Sequence, residues 1–224
     1  MASGWWDNDG AIAGCVAAYA PVGAADLASS YVNLANPGTY NAAPGVAPTW
    51  DASTGWTFNG STQYLTTGVV PASDQSWSMI VRFTTSDTDA CVCGSRISTN
   101  RFWLYCADGF NQRYYGNGFN KSYAGRVTSG VMAIGGNVAY LNGSPETGTI
   151  AAGSGTNTHG IYIGCLNNAG TIITSFSGTI VAFAVYSSTL SASDVATITT
   201  RMNALPEASG SALPILLAQH AMMG

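Results

Sequence analysis

Apolar and polar residues alternate with a period of two through most of the chain, and the alternating stretches are short. SWSMIVRFTT sets Trp77, Met79 and Val81 against Ser78, Ile80 and Arg82, the pattern of a strand with one face buried. GWTFN and QYLTTG flank Asn59-Gly60-Ser61-Thr62 and read as the two arms of a hairpin. DACVCGSRI and RFWLYCA face one another across Ser98-Thr99-Asn100. QRYYGN, KSYAGRV, GVMAIG, NVAYLNG, GIYIGCL, TIITSF and GTIVAFAVYS follow at intervals of roughly a dozen residues, each broken by Gly, Asn or Pro. More than ten short strands in this cadence predict an antiparallel two-sheet sandwich or jelly roll.

Helical spacing occurs at two places. AADLASSYVNL suggests a short helix in the first 48 residues, which are otherwise rich in Ala, Gly and Pro. Near the other end, Ser191 opens SASDVATITTRMNAL with Asp194 three residues on, a variant of the capping box. Leu190, Val195, Ile198 and Met202 would share one face, and Pro206 stops the helix. The chain thus divides into residues 1–48, expected to drape over the sandwich because Trp5, Trp6, Tyr19, Tyr31 and Tyr40 are costly to leave in water; a sandwich over 49–206; and an apolar tail, 207–224.

Composition supports the β reading. Charged residues are 8% of 224, against roughly a quarter in an average soluble domain, and there are 27 Gly. The net charge of −4 leaves no broad positive field for a nucleic-acid backbone. No segment reaches the roughly 20 apolar residues of a membrane helix, and the N-terminus has no signal-peptide pattern. Sheet edges are commonly guarded by charge. With so little to spend, this chain is expected either to cover its edges within the fold or to live in an assembly.

Three blocks resemble the laminin-G-like branch of the concanavalin A-like lectin/glucanase superfamily. They are WTFNGSTQYLTTG, AYLNGSPETGT and GTIVAFAVYSSTLSASDVATI, in the order that family has them. The resemblance implies an all-β jelly roll of two curved antiparallel sheets with one short C-terminal helix. It does not choose among the family's adhesion modules, lectins, glycan hydrolases and lyases, and bacteriophage virion proteins.

Candidate chemistry narrows the choice. Glycosidases need two carboxylates roughly 5–9.5 Å apart, and the Glu-x-Asp-x-Glu strand motif of related glucanases is missing. An enzyme is therefore not expected, and neither His159 nor His220 sits in a recognisable catalytic signature. Asp87 and Asp89 form the one tight acidic pair in the sheet region; it reads as a polar turn, or as part of a calcium site of the kind some laminin-G-like domains hold. No other cofactor is expected. Cys91 and Cys93 would share a strand face with Cys93 opposite Cys106, as buried thiols or a cross-strand disulfide.

Residues 101–126 hold eight of the 24 aromatics and four of the seven basic residues. On the strand RFWLYCA, Phe102, Leu104 and Cys106 would face inward and Arg101, Trp103 and Tyr105 outward. Together with Arg113, Tyr115, Asn117 and Tyr123 they form the candidate surface for a glycan or a protein partner. The tail residues Leu213, Ile215, Leu216, Leu217 and Met222 read either as self-packing or as an anchor in a neighbour. The resulting expectation is a non-catalytic virion structural protein, decorating a capsid or forming an appendage, that self-associates or binds other virion proteins and contacts host glycans. The alternatives are a lectin-like module at an extracellular surface and a carbohydrate-active enzyme.

Overall fold

Alternation of this kind leaves each strand with one apolar face, and two sheets bury those faces against each other. The computed structural model describes residues 4–72, 75–153 and 157–205. In chain order the elements are β1 (Cys15–Tyr19), α1 (Leu27–Ser30), β2 (Ala43–Val46), β3 (Thr49–Asp51), β4 (Gly55–Asn59), β5 (Tyr64–Thr66), β6 (Ser78–Thr85), β7 (Ala90–Ile97) and β8 (Asn100–Ala107). They continue with β9 (Gln112–Ala124), β10 (Ser129–Gly135), β11 (Val138–Leu141), β12 (Ser144–Pro145), β13 (Tyr162–Ile163), β14 (Leu166–Asn168), β15 (Thr171–Ile173), β16 (Ser177–Tyr186) and α2 (Ala192–Asn203).

The first sheet runs β12-β11-β10-β6-β16-β4-β3, with β1 also paired to β16. The second runs β15-β14-β7-β13-β5-β2, with β8 on β7 and β9 on β8. Pairing is antiparallel apart from β14 on β7, where Asn167 meets Ser95 and Asn168 meets Arg96. This is a two-sheet β-sandwich of the concanavalin-like jelly-roll class with a C-terminal helix.

Met79, Val81 and Phe83 of β6 meet Val92, Phe102 and Leu104 of the opposite sheet in the central core. Phe58, Phe83, Phe102, Phe176 and Phe183 are fully buried, each contributing roughly 1.5–3 kcal/mol of transfer free energy. The other face of β6 is covered as well. Ile80 packs with Val195, Ile198 and Met202 of α2 and with Trp5, Trp6 and Ile12. Arg82, also on that side, donates from Nη1 to the Met202 carbonyl at 2.7 Å, where a helix end leaves acceptors unpaired. Ser191 and Asp194 form the expected reciprocal capping box.

Residues 4–48 contribute strands as well as cover. β1 hydrogen-bonds along β16, β2 lies on β5, and the Trp56 indole donates to Ser30 Oγ at 2.8 Å.

Three local expectations are corrected. GWTFN and QYLTTG are not hairpin arms: β4 belongs to the first sheet and β5 to the second. Asn59 Oδ1 accepts from the Ser61, Thr62 and Gln63 amides, and this side-chain turn carries the chain across the sandwich. Trp56, Phe58 and Leu65 consequently meet in the core from opposite sheets, while Tyr64 faces outward against Tyr162, ring centroids 5.1 Å apart.

Cys91 and Cys93 point to opposite faces because bulges shift the register on both sides of Cys91, and Cys93 pairs with Leu104, not Cys106. The β7–β8 turn is Ser98-Thr99, with Ile97 opposite Asn100, and all five cysteines are free thiols.

Candidate functional site

β8 behaves as its alternation predicts: Phe102, Leu104 and Cys106 enter the core, and Arg101, Trp103 and Tyr105 lie on the outer face of the second sheet. Trp103 is flanked across the sheet by Gly94 on β7 and Gly116 on β9. A Cβ on Gly94 would come within 2.5 Å of Trp103 Cβ, and one on Gly116 within 2.7 Å of its Nε1. The two glycines therefore make the trough in which the indole lies flat, only 6% exposed.

Two guanidinium groups flank that indole. Arg96 lies 5.5 Å and Arg101 5.3 Å from the ring centroid. Arg96 Nε donates to Asn168 Oδ1 at 2.7 Å, and Arg101 Nη1 donates to Asn120 Oδ1. Burial, and then the neighbouring Arg96 charge, lower the Arg101 pKa.

Tyr105 continues the aromatic surface, 6.1 Å from Trp103 and 6.1 Å from Tyr114, which stands opposite it on β9. Each phenol is tethered by a carboxylate. Tyr105 donates to Asp89 Oδ1 and Tyr114 to Asp108 Oδ2, both at 2.8 Å. Burial, followed by that bond to Asp89, raises the Tyr105 pKa. Burial would also raise the Asp108 carboxyl, but hydrogen bonds from the Gln112 amide, Tyr114 and the Phe110 amide hold it below its ordinary range. Leu166 and Ile173, from the β14–β15 hairpin, supply an apolar wall, and the whole encloses a cleft of about 360 Å³. That is ample for one or two sugar rings.

The remaining expected residues go elsewhere. Because Tyr114 faces Tyr105, the period of two turns Arg113, Tyr115 and Asn117 inward. Tyr115 is fully buried and donates to the Tyr140 carbonyl at 3.2 Å; buried Asn117 donates to the carbonyls of Trp77 and Gly136. Arg113 pairs with Glu146 at 2.6 Å and lies over the Tyr123 ring, itself packed edge-on against Tyr115. Tyr115 and Asn117 are thus buried, Arg113 and Tyr123 are half-buried against each other, and none of the four lines the cleft beside Trp103. In their place the cleft takes Arg96, Tyr114, Asn120, Asp108, Leu166 and Ile173.

Asp87 accepts from the Ser177 amide and Asp89 from Tyr105, so the acidic pair serves two separate partners. Among the described residues no group of three or more His, Cys, Asp or Glu is placed to hold a metal ion. Leu213, Ile215, Leu216, Leu217, Met222 and His220 lie outside the described residues.

A two-sheet sandwich with an aromatic cleft on one outer face defines the class of the protein. Among solved structures, a mutant of Trypanosoma rangeli sialidase displaying trans-sialidase activity is similar at 15% identity and a TM-score of 0.59, over 88% of this chain and 34% of that one. Domain 4 of AbnA, a GH43 extracellular arabinanase from Geobacillus stearothermophilus solved in complex with arabinotriose, is similar at 13% identity and a TM-score of 0.53, over 83% of this chain and 98% of that one. The chain spans about a third of the sialidase's length. At these identities the likeness shows the fold alone. No protein-family model matches the chain, and no curated protein matches it.

Proposed function

We propose that this chain is a non-catalytic carbohydrate-binding module, with the cleft beside β8 as its binding site. The observation that carries the reading is the aromatic wall of Trp103, Tyr105 and Tyr114, packed edge to face, with each phenol held in place by a carboxylate. Rings fixed in this way stack on the C–H faces of a sugar, while Asn120 and the arginines offer hydrogen bonds to its hydroxyls. The fold neighbour solved with arabinotriose supports it. Asp108 accepts three hydrogen bonds that hold its carboxyl below the ordinary range, which suits it poorly to the general-acid role a glycosidase needs.

The test is an oligosaccharide array followed by calorimetric titration of the best ligand. Tyr114→Ala, on the outer surface, is expected to weaken binding at least about tenfold with the fold intact, the scale at which truncating an interface aromatic is felt. An array with no ligand, or a Tyr114→Ala variant that binds as well as the parent, overturns the reading.

A second reading, a component of a virion or surface assembly, draws on the scarce charge and on exposed apolar side chains such as Phe110, 85% accessible. Light scattering separates the two: a polymer or closed oligomer at micromolar concentration favours assembly, and a monomer that binds sugar favours the module.

A further inference from the structure

Of the chain's seven basic residues, Lys121 lies over the Tyr123 ring and Arg126 stands at the loop after β9, away from the cleft; the other five divide by partner. Arg113 is ion-paired with Glu146, Arg201 with Asp9, and Arg82 donates to a helix-end carbonyl. Arg96 and Arg101 differ: both stand over Trp103, and their side-chain partners are the neutral amides Asn168 and Asn120. Among the described residues neither forms a salt bridge. Two further donors close by, Arg101 Nε and Trp103 Nε1, are buried without an acceptor.

Setting two like charges beside one ring, in a chain that spends so little charge, is unfavourable unless something negative arrives. The nearby carboxylates do not serve. Asp89 is engaged by Tyr105, and Asp108 by Tyr114 and two amides. The guanidinium nitrogens of Arg96 and Arg101 that their amide partners do not take are the donors left for an oxyanion.

Resting on the carbohydrate-binding reading, we infer that the sugar this cleft takes is anionic: a carboxylated or sulfated saccharide whose charged group sits against Arg96, with Arg101 adjoining the cleft through Asn120, while a ring stacks on Tyr114. The arginines supply planar forks suited to a carboxylate or sulfate, and Tyr114 supplies the sugar platform. An acidic peptide would satisfy the charge but not use the platform.

The experiment titrates the full chain with matched oligosaccharides: galactose oligomers, their galacturonate counterparts, and their 6-sulfated counterparts, with poly-glutamate as a non-sugar anion. The expected result is at least a tenfold preference for one acidic series over the neutral one, weakening as salt rises from about 50 to 500 mM. Arg96→Gln and Arg101→Gln, each checked for an unchanged melting temperature, should abolish that preference and the salt dependence together. Whether galacturonate or sulfated sugar binds more tightly identifies the anion. Equal or tighter binding of neutral galactose oligomers overturns this inference and leaves the carbohydrate reading standing. Binding of none of these sugars overturns this inference, and the oligosaccharide array then decides the carbohydrate reading by itself. Poly-glutamate binding as tightly as the acidic sugars, or glutamine variants that keep the full preference, overturns the assignment to an anionic saccharide held by these arginines.

Discussion

Replacing Asn33 by alanine removes the side chain that ties the N-terminal segment to the first sheet. Asn33 is fully buried; its Oδ1 accepts from the Ala18 amide at 3.0 Å and the Ala35 amide at 3.1 Å, and its Nδ2 donates to the carbonyls of Val16 and Thr39 at 2.9 and 2.8 Å. Val16 keeps a second donor, Asn36 Nδ2 at 3.1 Å, so of the four groups that lose Asn33, three are left without another side-chain partner. The buried Ala18 amide costs roughly 1–3 kcal/mol when left unmade, and the two half-buried groups roughly 0.5–1.5 kcal/mol each. The expected loss is about 3 kcal/mol, which for a chain of this size lowers Tm by roughly 6–12 °C. Urea unfolding followed by tryptophan fluorescence measures it as a shift in midpoint at constant slope. Asn33→Asp is the companion variant: it keeps the two accepting roles and sets a carboxyl against two carbonyls, so burial raises its pKa. The defect should accordingly be smaller near pH 4 than at pH 7. A loss below about 1 kcal/mol for Asn33→Ala would refute the reasoning, because the hydrogen bonds would then not be what holds residues 31–41 to β1.

Two further outcomes follow from ionisable groups. The carboxyls of Asp26, Asp51 and Asp108 are held below their ordinary range, the first two by hydrogen bonds from Ser29 and Ser53 and the third by hydrogen bonds that outweigh its burial. A depressed folded pKa stabilises above the unfolded value of about 3.9 and loses that contribution as pH falls through the folded one. The urea midpoint should therefore drop as pH is lowered from about 4 toward 2, and less steeply in Asp108→Asn; equal slopes would remove Asp108 from the account. Burial pushes the thiols of Cys15, Cys106 and Cys165 up to about 12 and raises Cys91 and Cys93 as well. At pH 8 a disulfide reagent should spare Cys91, Cys93, Cys106 and Cys165 in the native protein, label half-buried Cys15 slowly because its thiol is held protonated, and titrate five thiols in guanidinium; fast labelling of more than one native thiol would contradict this burial.

What was legible in the sequence is what neighbouring residues determine. The faces of β6 and β8 follow from alternation within one strand, and the start of α2 follows from Ser191 and Asp194. What was not legible depends on partners distant in the chain. The Asn-Gly turn after Phe58 looks like a hairpin locally, yet β4 finds β16 and β5 finds β13, because each strand contributes apolar side chains to the core from its own sheet. The inward and outward positions of β9 depend on its register with β8 across the Asp108 turn, and one residue of slip exchanges them. That slip separates the expected Tyr115 and Asn117 from the observed Tyr114 and Asn120. Arg96 was legible by the rule that holds within one strand: alternation that turns Cys93 inward turns Gly94 and Arg96 outward beside Trp103, because the bulges of β7 lie before Cys93.

Why recognition should fall on the second sheet follows from how its four sheet faces are spent. Two inner faces make the common core. The outer face of the first sheet carries Ile80, Val131, Ala133, Ala182 and Ala184, aliphatic and mostly small, and α2 with Trp5, Trp6 and Ile12 closes over it. Small side chains let a helix approach, and once it has docked that face is no longer available to a ligand. The second sheet has instead Trp103, Tyr105 and Tyr114 with Arg96 and Arg101, and beyond them the Tyr64–Tyr162 pair. The first sheet also carries a guanidinium and two rings on that face, Arg82, Tyr140 and Tyr186, but Arg82 meets the Met202 carbonyl at the end of α2. Among the described residues no helix end faces Arg96 and Arg101, whose partners are Asn168 and Asn120. On the proposed reading, the rings and guanidinium groups that no helix covers are the ones left for a partner from outside, and an acidic sugar is the proposed partner that would use both.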